Sequence, residues 1–256
     1  MPSRPASLHS APALAPASDP GGACRLGVLA FGDSITNGGG ELQWGVALQS
    51  WALWTARALG IPYSPYAVDG ATVADVVTLQ IPLYQRVVGS PDAPYALGCL
   101  YIGTNDVRLP GFEPPRFEEL YGEALAFLTR RCEHVLTLTI PLDMGRPRNR
   151  ALVEATNAAI ERAAAVHEAA VLDLRNFGGR GLMMADHVHP TALGQVAIAE
   201  RALDLLQAAG LPPRIRAREL IDYETTWWGR LRGDATYAYR HVKQDLRLRL
   251  RTARDG

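Results

Sequence analysis

Residues 26–36 read Leu26-Gly27-Val28-Leu29-Ala30-Phe31-Gly32-Asp33-Ser34-Ile35-Thr36, and a glycine cluster, Gly38-Gly39-Gly40, follows at once. An apolar run of this length closed by Gly-Asp predicts a buried strand that ends in a tight turn. Open α/β sheets bind their ligands outside the carboxyl ends of the strands, which is where Ser34 then stands. Ser34 is on that ground a candidate nucleophile. Gly-Asp-Ser is also an ordinary turn tripeptide, so the assignment depends on whether the remaining chain supplies a base, an acid to orient it and donors for an oxyanion.

The same pattern of apolar run and turn recurs. A helix is expected over 46–59, with Trp51 and Trp54 inside it and Gly60 and Pro62 ending it. Tyr66-Ala67-Val68 reads as a second strand closed by Asp69-Gly70. Residues 72–88 carry helical spacing, with Pro82 expected to kink or split the helix. A third strand over 97–102 runs into Gly103-Thr104-Asn105-Asp106. Phe117, Leu120, Tyr121, Ala124 and Leu128 mark one helical face. The β-branched run 135–140, stopped by Pro141, is a fourth strand. Leu152, Thr156, Ala159, Ala163 and Val166 mark another helix, and Val171-Leu172-Asp173-Leu174 a fifth strand. Ala192, Val196, Ala199, Leu203 and Leu206 lie on one face of a last helix. Strands alternating with amphipathic helices predict an α/β fold, a parallel sheet covered by helices on both faces. Right-handed crossovers leave few topologies, and the flavodoxin-like three-layer order 2-1-3-4-5 is the one expected.

Composition narrows the function classes. The chain has 256 residues, 48% of them hydrophobic, enough for one sizeable core with appendages. A net charge of zero argues against non-specific nucleic-acid binding by the whole protein. The charge is uneven: residues 1–210 hold 15 basic and 20 acidic side chains, whereas 211–256 hold 11 and 6. Lys243 is the single lysine, and since a P-loop needs Gly-Lys-Ser/Thr, none is present. Cys24, Cys99 and Cys132 have neither paired nor metal-type spacing, which fits a reducing compartment. Residues 1–24, with five prolines before Gly21, read as a flexible lead without the apolar core of a signal peptide. No run is long enough to span a bilayer. A soluble, cytoplasmic protein is therefore expected, with a domain over 25–210 and a basic appendage over 211–256.

His189 is the candidate base. Asp186 precedes it by three residues, a separation that lets the two side chains meet on one side of a helical turn. A carboxylate on Nδ1 fixes the imidazole tautomer and stabilises the imidazolium formed when Nε2 takes a serine proton. Pro190 suits the first turn of a helix, placing His189 at a rigid helix start. Among the six histidines, His189 alone has both the aspartate before and the proline after. Asp186, His187 and His189 together suggest metal ligation, but no further His/Cys/Glu cluster stands nearby, so neither metal nor cofactor is expected. For the oxyanion, Asn105 follows the third strand as Ser34 follows the first, which brings both to one sheet edge. Gly70, after the second strand, offers a backbone N–H with no side chain in the way, and the Ser34 N–H is a third donor.

Together, Gly32-Asp33-Ser34, Gly70, Gly103-Thr104-Asn105-Asp106 and Asp186-His187-Val188-His189-Pro190 resemble the four blocks of the SGNH (GDSL-type) hydrolases, in order and over about residues 25–209. The resemblance implies a flavodoxin-like fold, Ser34, Asp186 and His189 as a catalytic triad, and an oxyanion hole of Ser34 N–H, Gly70 N–H and Asn105. Ile35 stands where many members carry leucine. Thr36 breaks the Gly-x-Ser-x-Gly elbow of the α/β-hydrolases. The implied activity is serine esterase or deacylase without cofactor, acting on a small-molecule ester. A carbohydrate O-deacetylase or acyltransferase uses the same chemistry, and a non-catalytic binding module on the same fold is the reading from a different class.

Pocket walls are expected from loops 38–46, 107–116 and 141–149, with Trp44, Phe112 and Met144 as apolar lining and Arg146, Arg148 and Arg150 as a charge run. In the appendage, Tyr239, Val242, Leu246 and Leu250 recur at helical spacing beside Arg240, Lys243, Arg247 and Arg251. Such a helix packs on the domain or across a homodimer, or lies on an anionic membrane.

Overall fold

A computed structural model of the chain describes residues 25–40, 46–89, 93–142, 149–179, 181–184, 186–221 and 226–252. Five strands, β1 (Val28–Gly32), β2 (Tyr63–Pro65), β3 (Tyr95–Tyr101), β4 (Cys132–Leu138) and β5 (Ala170–Leu172), form one sheet in the order β2-β1-β3-β4-β5, and every pair is parallel. The fold and strand order are those expected. Because both faces of β1 are covered, all five of its residues are buried, and its sequence is a continuous apolar run rather than an alternating one.

The side-chain period of two divides β1 between two cores. Val28 and Ala30 face α2 (Trp51–Leu59) and α7 (Ala192–Ala208), packing with Trp51, Trp54, Ala199 and Leu203. Leu29 and Phe31 face the opposite layer, where α4 (Ile81–Val88), α5 (Pro114–Thr129) and α6 (Arg150–Val166) supply Tyr84, Phe117, Tyr121 and Ile160. Right-handed crossovers between parallel strands place helices on both sides, and the sheet is thus the middle of three layers.

Several boundaries differ from expectation for identifiable reasons. The expected second strand, 66–68, lies one step beyond β2. Tyr66 and Val68 still donate to Ala30 and Gly32 carbonyls at 2.9 and 3.1 Å, so the chain continues along β1 without strand geometry. β2 itself ends on Pro65, which an edge strand tolerates. The helix expected over 46–59 begins at Trp51, because the Ser50 hydroxyl accepts from Leu53 N–H at 3.0 Å and caps it there. The segment around Pro82 runs on without a break in its helical turns, so it is not split there. A short α3 (Val73–Asp75) passes through a π-helical turn, Val76–Gln80, into α4, and Ile81 N–H donates to the Val76 carbonyl five residues back. The widened turn lies just before Pro82, which has no N–H to give. In α6 the buried stripe is Val153, Thr156, Asn157, Ala159, Ile160, Ala163 and Ala164, and Val166 is 77% exposed, so the apolar face is rotated from the one expected.

After α7, residues 211–221 return along the body. Arg214 N–H donates to the Ala58 carbonyl at 2.9 Å. Glu200 of α7 accepts from the Arg216 and Arg218 guanidinium groups at 2.8 and 3.0 Å and from Arg218 N–H at 2.9 Å. The 26-residue α8 (Trp227–Thr252) follows. The lead 1–24, Trp44, Met144, Arg146 and Arg148 lie outside the described residues.

Candidate active site

Gly32 ends β1 and sets the course of the next turn. A Cβ at Gly32 would stand 2.4 Å from the Tyr101 carbonyl oxygen and 2.7 Å from Thr36 Oγ1, and its φ is +151°. No side chain fits there, and the absence of one lets the backbone turn tightly against β3. Asp33 then caps α1 (Ser34–Asn37): its Oδ1 accepts from Ile35 N–H at 2.9 Å. Ser34 is the first residue of this helix, so its own N–H has no intrahelical acceptor and points outward.

Two buried glutamines hold this turn from opposite sides. Gln80, on the π-helical turn, accepts from Gly32 N–H at 3.0 Å and donates to Gly32 O at 2.8 Å. Gln195, on α7, donates to Ile35 O at 3.0 Å and Gly39 O at 3.3 Å, and accepts from Trp51 N–H at 2.8 Å. Sequence reasoning missed both, since a polar residue inside a helical stripe gives no local sign of its partner. Their five hydrogen bonds pair buried backbone groups that would otherwise be costly to bury.

Ser34 Oγ lies 2.8 Å from His189 Nε2, and His189 Nδ1 lies 2.6 Å from Asp186 Oδ2. The three side chains expected from the sequence are brought together across 155 residues of chain. The pairing of Asp186 with His189 does not use a helical turn. Asp186 Oδ1 accepts from Val188 N–H at 2.9 Å and His189 N–H at 3.0 Å, and His187 takes φ +57°. A carboxylate-capped turn therefore holds the pair. The expected helix start at Pro190 is also displaced: α7 begins at Ala192 with Thr191 as its cap, and Pro190 bridges Met183.

Electrostatics follow from this geometry. Burial pushes the Asp186 carboxyl up, but the His189 hydrogen bond and the two backbone donors outweigh it and bring the pKa to about 2. The Asp186 hydrogen bond raises His189 above its ordinary value; burial and the Arg108 guanidinium oppose the rise, and the Asp33 charge adds to it. Asp33, fully buried, is pushed up to about 7 by desolvation, with Ile35 N–H and His189 pulling it down. Asp106 is likewise raised by burial, to about 6. Among the described residues, Asp33 Oδ2, Asp106 Oδ2 and Thr104 Oγ1 are buried without a hydrogen-bond partner, and the Asp106 charge adds to the rise at Asp33.

The expected oxyanion donors come from the loops after β1, β2 and β3. Gly70 sits in the turn closed by Ala71 N–H donating to Val68 O at 3.2 Å, with φ +77° and open space where a Cβ would stand. A positive φ favours glycine here. Asn105 Nδ2 donates one hydrogen to Ala71 O at 3.0 Å, and the neighbouring Asp106 Oδ1 accepts from Val73 N–H at 2.9 Å. Asn37 Nδ2 donates to Asp69 Oδ1 at 2.9 Å. These bonds stitch the three loops together and leave Asn105 its second amide hydrogen. Replacing Asn105 by alanine is expected to lower kcat by about 10²–10³ with little change in KM; steady-state kinetics on a soluble ester checks it, and an unchanged kcat rules Asn105 out as a donor.

Phe112 lines, with Thr72, Val73, Asp106, Leu109 and Phe117, a pocket of about 220 Å³ beside the Asn105 loop. Arg150 pairs with Glu154 at 2.9 Å on the surface. Among the described residues, no group of three His, Cys, Asp or Glu side chains is placed to hold a metal ion.

The match to known proteins falls on the same region. Residues 30–197 match the GDSL-like Lipase/Acylhydrolase family. The chain belongs to that family and is an ester-hydrolysing enzyme. No curated protein matches it. Among solved structures, it is similar to a member of the lipolytic G-D-S-L family from Veillonella parvula, at 22% identity and a TM-score of 0.56, over 70% of this chain and 97% of that one. An acetylxylan esterase from Geobacillus stearothermophilus is similar at 16% identity and a TM-score of 0.54, over 72% of this chain and 96% of that one. These likenesses establish the shared fold.

Proposed function

We propose that the chain is a serine esterase in which Ser34, His189 and Asp186 act as a triad through an acyl-enzyme intermediate. The observation that carries this reading is the continuous hydrogen-bond chain from Ser34 Oγ through His189 to Asp186, at 2.8 and 2.6 Å. Ser34 Oγ attacks the ester carbonyl carbon as His189 Nε2 takes its proton. Asp186 keeps Nδ1 protonated, so that Nε2 presents a lone pair to the serine, and it stabilises the imidazolium. Negative charge on the former carbonyl oxygen is met by Ser34 N–H, Gly70 N–H and the second Asn105 amide hydrogen. Collapse expels the alcohol, which His189 protonates, and water releases the acid by the reverse path.

On this reading a short apolar group of the ester occupies the pocket around Phe112, whose lining reaches the Asn105 loop at Asp106 but includes neither Ser34 nor His189. Two measurements test the proposal together. A fluorophosphonate probe is expected to label Ser34, identified by peptide mass spectrometry. Rates on aryl esters of increasing acyl length are expected to peak at short chains. Label on another residue removes the triad assignment, and a flat or rising chain-length profile removes the pocket assignment. Acetylated sugars in the same panel distinguish carbohydrate O-deacetylation.

A further inference from the structure

Six apolar side chains of α8 are exposed and stand outside both cores. Trp227, Trp228, Leu231, Tyr239, Val242 and Leu246 are 67, 70, 47, 66, 66 and 59% exposed. At 100° per residue they fall within an arc of about 120°, and the exposed Arg232, Lys243 and Arg240 occupy the adjoining arc of about 80°. Residues 227–252 carry seven basic and two acidic side chains. Exposed, contiguous apolar surface beside a dense positive stripe marks an interaction face rather than a solvated one.

We infer that α8 lies in the interface of an anionic phospholipid membrane and holds the protein there. Three features favour that occupant. Among the described residues no helix is long and apolar enough to cross a bilayer, so this one binds parallel to the surface. Its apolar arc is rich in tryptophan and tyrosine, whose amphipathic rings sit at headgroup level, while its cations meet lipid phosphates. Residues 1–210 net five negative charges, so an anionic surface attracts α8 and repels the body. A second copy of α8 is disfavoured, because each helix brings a net charge of +5 to the shared face. A nucleic acid leaves the apolar arc without a partner.

The inference is independent of the catalytic reading, and one experiment separates them. The full chain is floated with vesicles of phosphatidylcholine and phosphatidylglycerol, or of phosphatidylcholine alone, while hydrolysis of a soluble short-chain ester is assayed in the same samples. Binding is expected to the anionic vesicles at low salt, with a blue shift of tryptophan emission, and to weaken strongly at about 0.5 M salt. The double variant Arg232→Glu/Lys243→Glu is expected to bind at least about tenfold more weakly, and Trp227→Ser/Trp228→Ser to lose the blue shift. Soluble-ester hydrolysis is unchanged in both. No binding to anionic vesicles overturns the inference, as does equal binding to neutral vesicles that ignores charge reversal. Dimerisation or duplex DNA binding without vesicle binding assigns the face to those partners and overturns it equally. Loss of ester hydrolysis in the wild-type samples counts against the esterase reading alone.

Discussion

Ser34→Ala is expected to lower kcat by on the order of 10⁴–10⁶ while the thermal transition stays where it is. The magnitude follows from the loss of the covalent route. Without Oγ no acyl-enzyme forms, and only the oxyanion donors and substrate positioning remain to assist direct attack by water. Stability is spared because, among the described residues, the hydrogen bond shown for Ser34 Oγ is the one to the partly exposed His189 Nε2, at 2.8 Å. The clamps on the turn, from Gln80 and Gln195, act on backbone atoms of Gly32, Ile35 and Gly39. Circular dichroism melting and steady-state kinetics on one preparation check both halves. A variant that keeps its rate disproves Ser34 as nucleophile; one that unfolds leaves Ser34→Cys, with its soft nucleophile, to decide by acyl-thioenzyme trapping.

Asp186→Asn carries the second large effect, about 10⁴ in kcat. The amide oxygen still accepts from Val188 N–H and His189 N–H, so the turn persists. The other atom at Nδ1 becomes a donor, which favours the tautomer protonated on Nε2 and removes the lone pair that faces Ser34. The pH dependence moves as well. On the proposed mechanism the active form has neutral His189, whose pKa is raised above the ordinary 6.5 chiefly through Asp186. Activity therefore rises with pH along a limb centred above 6.5. Removing the Asp186 charge lets burial and Arg108 prevail over the remaining Asp33 contribution, so the limb shifts to lower pH. A profile of kcat/KM over about pH 5–9 measures both effects. A variant with an unmoved limb places the histidine's orienting acid elsewhere.

The layering and strand order were legible because they rest on signals that local sequence carries: apolar runs for strands buried on both faces, and stripes for helices. Where a boundary moved, a tertiary partner decided it. Pro65 reads as a strand breaker until β2 is seen to be an edge, and Val166 reads as core until the packed face of α6 is seen to pass through Asn157, Ile160 and Ala164 instead. Ser34, Asn105 and His189 were legible for a different reason. Each stands at a strand end or tight turn whose glycine, aspartate or proline marks the backbone geometry. Gln80 and Gln195 carry no such mark. Their partners lie 48 and up to 160 residues away, and only the closed fold reveals them. The buried carboxyls of Asp33 and Asp106 were hidden likewise, since both sit in turn motifs where an exposed acid is the ordinary case.

The reach of Gln195 has a consequence for how the enzyme comes into being. The serine turn is synthesised well before α7, yet its fastening to Gln195 comes from that helix, 160 residues further on. Until α7 has been synthesised and docked, the Ile35 and Gly39 carbonyls lack the Gln195 donor, and Ser34 has no histidine until residue 189 is in place. If the proposed triad is the catalytic one, a nascent chain or an amino-terminal fragment displays the serine without the means to use it, and hydrolytic competence arrives only as the domain closes.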